Sequence, residues 1–176
     1  MEEFAKYYNK ALRFLSYRIR SEKEIRDNLL KVKGKKETEE TKETKAKIVE
    51  QVIEKLKAQK FLNDVEFARM WIESRFRAKP RAMRLIKFEL RQKGISNEVV
   101  ESLIHNSEFI IQNDVESAKK LIEKKLGRYK NLPKPEMKIK LGAYLAGKGF
   151  NWDTIKEALR AFPLIEVIDE STEEGV

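Results

Sequence analysis

The sequence predicts an all-α chain of three tandem three-helix repeats, in an elongated arrangement with room to curve, on three observations. Glycine (7) and proline (4) are scarce in 176 residues that are 38% charged and 41% hydrophobic, a balance that suits helices better than turn-rich sheets. A Lys-Gly pair recurs at Lys33-Gly34, Lys93-Gly94 and Lys148-Gly149, with a leucine four residues before each glycine: Leu30, Leu90 and Leu145. An apolar stripe of constant spacing precedes each pair, and self-similarity of this kind marks repeat architecture.

The first repeat takes residues 1–60. Its first helix carries Ala11, Phe14, Leu15 and Ile19, one face of a 3.6-residue period, with Arg18 seven positions after Ala11. Ser21 and Glu24 read as a capping box that opens the second helix, and Gly34 supplies its left-handed stop. The run "KKETEETKETKAK", residues 35–47, is poor in apolar residues and balanced in charge, so it reads as a charged loop, either solvated or a frayed helical extension. "IVEQVIEKLKAQ" then forms the third helix.

The second repeat takes residues 61–107. In "FLNDVEFA", Asn63 or Asp64 caps the next helix and Phe61 or Leu62 is placed for a hydrophobic staple. The stripe returns as Ala68, Trp71, Ile72 and Phe76, followed by Arg75 in the cation position, which makes Trp71 a core residue. Pro80 lies fourteen residues before Gly94 and can open a helix at its first position. After the glycine, "GISNEVVESLI" gives a short helix capped by Ser96 or Asn97, with Val100 and Ile104 inward.

The third repeat, residues 108–165, carries the stripe as Ala118, Leu121, Ile122 and Leu126 with Lys125 as its cation. Pro135 stands fourteen residues before Gly149, and "GFNWDTIKEALRAF" closes the repeat with Ile155 and Leu159 inward and Trp152 at a staple or inter-repeat position. Residues 166–176 form an acidic tail. Units this small bury their stripes better when stacked on neighbours.

Composition also limits function. With no cysteine and one histidine, thiolate zinc sites, Cys nucleophiles and most metal or triad chemistry are excluded. His105 has no second ligand or nucleophile beside it and reads as a surface or capping residue. No catalytic residue, metal site or cofactor is expected. The N-terminus lacks the apolar core of a secretory signal and no run is long enough to span a bilayer, so the expectation is a cytoplasmic, soluble monomer without a membrane partner. A net charge of +9 and a pI near 9.5 make a polyanion the natural partner.

That charge concentrates in the middle repeat. Arg77, Lys79, Arg81, Arg84, Lys87, Arg91 and Lys93 face a single acid, Glu89. On a helical wheel, Arg81, Arg84, Lys87 and Arg91 share one arc with Phe88, while Ala82, Met83, Ile86 and Leu90 take the other side. A charged stripe is ordinarily the solvated face of its helix, but such faces mix signs for i to i+4 pairing, and this one does not. The candidate nucleic-acid or filament-binding residues are therefore Arg77, Lys79, Arg81, Arg84, Lys87, Phe88, Arg91 and Lys93. Phe88 can stack on a base or serve as a neighbouring repeat's core contact.

"ALRFLSYRIRSEKEIRDNLLKVKG", "VIEKLKAQKFLNDVEFARMWIESRF" and "IKFELRQKGISNEVVESLI", in that order, resemble the RecX family of bacterial regulators of the RecA recombinase. The resemblance runs from about Ala11 to Phe162 and is strongest in "FLNDVEFA" together with "ELRQKGI". The charged insertion from Lys35 to Lys47 and the third repeat depart most from the family pattern. The resemblance implies a non-enzymatic protein that binds the RecA filament on single-stranded DNA and inhibits its ATPase, strand exchange and filament growth; many members of the family also bind DNA themselves, and duplex DNA is a further candidate partner. Two other readings remain: a helix-turn-helix type DNA-binding protein acting independently of RecA, and a protein-binding helical scaffold with no affinity for DNA.

Overall fold

The computed structural model describes residues 2–31, 39–105 and 113–163. These form nine α-helices and no strand: α1 (Glu2–Leu15), α2 (Glu22–Leu30), α3 (Glu39–Ala58), α4 (Asp64–Ala78), α5 (Met83–Gln92), α6 (Asn97–His105), α7 (Asn113–Tyr129), α8 (Lys134–Gly147) and α9 (Trp152–Arg160). The all-helical fold class expected from the three repeats is the one found. Helices fall into two compact units: unit 1 holds Met1–Trp71 and Glu89–Ser102, and unit 2 holds Ile72–Phe88 and Leu103–Val176.

In unit 1, α1, α2 and α3 close around Ala11, Ile25, Leu29, Val49, Val52, Ile53, Leu56 and Leu62. The capping box at Ser21 is present in both directions, with Glu24 N–H on the Ser21 hydroxyl at 3.2 Å. Three expectations shift here. Helix α1 ends at Leu15, so Ile19 leaves the stripe and is 41% exposed; Arg18 holds the chain outside the helix by donating to the Ile19 carbonyl and to both Glu24 carboxylate oxygens. The inward leucine of α2 is Leu29, while Leu30 is 40% exposed, so this copy is offset by one residue from the other two. Of the two readings of the charged run, the loop gives way from residue 39 onward to the helical extension, which forms the first turns of α3 and carries an i,i+4 ion pair between Lys47 and Glu43 at 2.9 Å.

The stops of α3, α5 and α8 share one geometry. Ile95 N–H bonds the Leu90 carbonyl and Gly94 N–H the Arg91 carbonyl; Phe150 and Gly149 do the same to Leu145 and Ala146. This is the Schellman pattern, with Gly94 and Gly149 at φ 82° and 93°. The end of α3 repeats it, Phe61 to Leu56 and Lys60 to Lys57, with Lys60 at φ 60°. Gly34, residues 35–38 and the acidic tail 166–176 lie outside the described residues.

In unit 2, α7, α8 and α9 enclose Ala118, Leu121, Ile122, Met137, Leu141, Leu145, Phe150, Ile155, Ala158 and Leu159, with Ala82 joining them and Leu126 at the edge. Pro135 is the second residue of α8. Pro80, by contrast, does not open α5: the helix begins three residues later at Met83, and the Ala82 N–H just before it donates to the Lys148 carbonyl at 3.2 Å. Asn63 is the cap of α4, accepting from Val65 and Glu66. Ser96 caps α6 and Asn151 caps α9. Leu62 is buried beside α3, whereas Phe61 is exposed.

Candidate nucleic-acid interface

The basic stretch begins where α4 ends. Pro80 disfavours helical backbone at the residue before it, and α4 stops at Ala78 with Arg75 and Arg77 in its last turn, the sign that suits a helix C-terminus. Arg77 and Lys79 are exposed and Arg81 half-buried. Helix α5 then runs with Ile86 and Leu90 fully buried, and with Arg84, Phe88 and Arg91 exposed and Lys87 half-buried. The two-sided character of α5 is therefore real. Phe88, at 55% exposure, is not a core contact.

The eight candidates are not equivalent. Arg77, Lys79, Arg81, Arg84, Lys87 and Phe88 belong to unit 2, and Arg91 and Lys93 to unit 1. Arg84 donates its Nε to the Gly149 carbonyl, which pins its guanidinium to the α8–α9 turn. Arg91 Nε donates to Asn97 Oδ1 at 2.7 Å. Lys93 is ion-paired to Glu24 at 2.6 Å and stands 4.5 Å from the Trp71 ring centroid. With its ammonium so occupied, Lys93 serves the interior of unit 1 more than any external phosphate.

Electrostatics around Lys93 follow from that packing. Burial alone would push the Glu24 carboxyl up, but hydrogen bonds from Arg18 and Lys93 outweigh it and hold the group at about 2. Trp71, expected as plain core, is half-buried: it stacks on Phe67 and donates Nε1–H to Glu89 Oε2 at 2.8 Å. The one acid among the seven cations thereby accepts from an indole within unit 1.

A repeated device seats α2 and α5. Asp64, at the start of α4, accepts from Glu22 N–H at 2.8 Å, and Asp114, at the start of α7, accepts from Met83 N–H at 2.9 Å. Burial raises the pKa of both carboxyls. Next to each cap a Lys-Gly turn docks. The Ser21 hydroxyl donates to the Lys93 carbonyl and Lys23 Nζ to the Gln92 carbonyl in unit 1; Ala82 N–H and Arg84 Nε donate to Lys148 and Gly149 in unit 2. The backbone approaches are so close that a Cβ at Gly94 would lie 2.6 Å from Lys23, and one at Gly149 2.6 Å from Leu85.

Unit 2 also carries aromatic–cation pairs outside the predicted stretch. Tyr144 is flanked by Lys125 at 5.0 Å and Lys148 at 5.5 Å, and Lys156 lies 5.8 Å from the Trp152 ring. A signal existed for two of these, an aromatic with a lysine four residues on in "YLAGK" and "WDTIK". Among the described residues no group of His, Asp and Glu is disposed to hold a metal ion, and no helix is long and apolar enough to cross a membrane.

Comparisons with known proteins agree in chain order with this arrangement. Three family models match: "RecX, first three-helix domain" over residues 8–32, "RecX, second three-helix domain" over 63–103 and "RecX, third three-helix domain" over 112–159. The Bacillus subtilis protein named Regulatory protein RecX is 34% identical over 90% of this chain and 55% of its own length, and that of Listeria welshimeri 32% identical over 93% and 56%. The chain thus spans little more than half the length of these relatives. The crystal structure of RecX from Lactobacillus salivarius superposes with a TM-score of 0.70 at 27% identity, covering 93% of this chain and 99% of that one. A second crystal structure, of regulatory protein RecX, gives 0.69 at 28% identity over 87% and 71%.

Proposed function

The chain belongs to the RecX family, and from that premise we propose that it regulates the RecA recombinase. It binds the RecA filament on single-stranded DNA and, without catalysis of its own, inhibits ATP hydrolysis, strand exchange and filament growth. The observation that carries the reading is the succession of all three RecX three-helix domains along one chain.

The basic residues of unit 2 supply the chemistry. Arg77, Lys79, Arg81, Arg84 and Lys87 meet phosphates or acidic groups of the filament, and exposed Phe88 provides an apolar anchor beside them. Titrating the protein into RecA hydrolysing ATP on single-stranded DNA tests this: hydrolysis falls toward a plateau as the protein approaches stoichiometry with RecA. Undiminished hydrolysis at that ratio, with DNA binding intact, would favour the second reading, a helical DNA-binding protein independent of RecA, which the same basic residues also support.

A further inference from the structure

Trp152 is a large aromatic residue that the fold of unit 2 leaves 60% exposed. The edge of its ring, at Cζ3, approaches α8 at Gly142, where an added Cβ would stand 3.9 Å from it. Lys156, four residues on along α9, places its ammonium 5.8 Å from the ring centroid. One turn before Gly142 on α8 come exposed Lys138 and Ile139, the latter 71% exposed. The acids of α9, Asp153 and Glu157, point about 100° and 140° around the helix from Trp152.

This platform connects to the basic stretch within the same unit. The α8–α9 turn that leads into Trp152 is bolted to α5 through Ala82 N–H on the Lys148 carbonyl and Arg84 Nε on the Gly149 carbonyl. Trp152 follows that carbonyl by three residues. An exposed indole bordered by lysines, in a stretch of chain, residues 72–88 and 103–163, that holds more than twice as many Lys and Arg as Asp and Glu, matches how proteins hold single strands: cations follow the phosphates and an aromatic ring takes a base.

We infer that Trp152 is a base-stacking site for single-stranded nucleic acid, with Lys156 and Lys138 on the adjoining phosphates. The inference rests on the nucleic-acid half of the function proposed above. An unpaired base lies on the indole, and sequence has little influence because every base offers a π-face. Duplex DNA, whose bases are already stacked, cannot use the site.

The test is fluorescence anisotropy of a labelled oligo-dT strand and of an abasic strand of equal length, with wild type, Trp152→Ala, Trp152→Phe and Lys156→Glu. Stacking predicts that W152A binds oligo-dT about 5-fold or more weakly, that W152F recovers most of the loss, and that wild type discriminates against the abasic strand by a similar factor while W152A does not. Lys156→Glu should weaken both strands alike. If wild type binds oligo-dT and W152A binds it equally well, the stacking site is overturned and the proposed function stands. If wild type binds no DNA, both fall. If W152A keeps its DNA affinity but loses inhibition of RecA, the ring belongs to a protein contact and the inference is again overturned.

Discussion

Lys60 holds a backbone conformation that two glycines hold elsewhere. It ends α3 with the same pair of hydrogen bonds that Gly94 and Gly149 make, at φ 60°, and a non-glycine residue there crowds its Cβ against the following carbonyl. Lys60→Gly should stabilise the protein by about 0.5–1 kcal/mol, the relief being reduced by the greater freedom of glycine in the unfolded chain; a denaturant midpoint that fails to rise would contradict this. Glu24 makes a second prediction at the same scale. Its folded-state pKa is depressed from 4.5 to about 2, so its contribution is fully present above pH 4.5 and is lost as pH falls from there toward 2. The stability gap between wild type and Glu24→Gln is therefore expected to shrink over that interval in melts recorded at stepped pH. A gap constant down to pH 2 would mean that the Arg18 and Lys93 pairing adds nothing.

At the scale of elements, the device to probe is the borrowed cap of α5. The first amide of that helix, Met83 N–H, is satisfied by Asp114 from the start of α7 rather than by a residue of its own. Asp114→Ala should cost about 1 kcal/mol and raise amide exchange in the first turn of α5, whereas Asp114→Asn keeps the acceptor and should stay close to wild type. Equal losses in the two variants would show that the charge, not the hydrogen bond, is what matters. This cap also marks where sequence reasoning reached its limit. Local signals were legible: the stripes Ala68–Phe76 and Ala118–Leu126, the Ser21 box, and the glycine stops at Gly94 and Gly149 are all set within a few residues. Pro80 points to a helix start that the chain places three residues on, at Met83, just after Ala82 N–H donates to the Lys148 carbonyl. Ile19 departs from the stripe where α1 ends at Leu15 and Arg18 turns to Glu24, and in α2 it is Leu29 rather than Leu30 that faces inward. A bond such as Ala82 N–H to the Lys148 carbonyl, sixty-six positions apart, leaves no trace in a local pattern.

Across the whole molecule, charge is divided unevenly. Unit 1 carries 20 Lys and Arg against 16 Asp and Glu, residues 72–88 and 103–163 carry 18 against 8, and residues 164–176 add five acids and no cation. The basic stretch was legible in the sequence as a run of one sign. Its internal division was not, since only three-dimensional contacts tell that Lys93 answers Glu24 and that Glu89 answers Trp71. Reversing cations of unit 2, as in Arg77→Glu, Lys79→Glu and Lys87→Glu combined, should leave far-UV helicity unchanged. If each meets one phosphate of a single strand, it should also lower the slope of log affinity against log salt by about 2. An unchanged slope would reduce these residues to a solvated face.

The most direct measurement is RecA's ATP hydrolysis on single-stranded DNA, titrated in parallel with wild type and with that triple variant. Regulation through the basic surface of unit 2 predicts that wild type suppresses hydrolysis near stoichiometry and that the variant requires a large excess. Hydrolysis unaffected by wild type, or suppressed equally by both proteins, would contradict it.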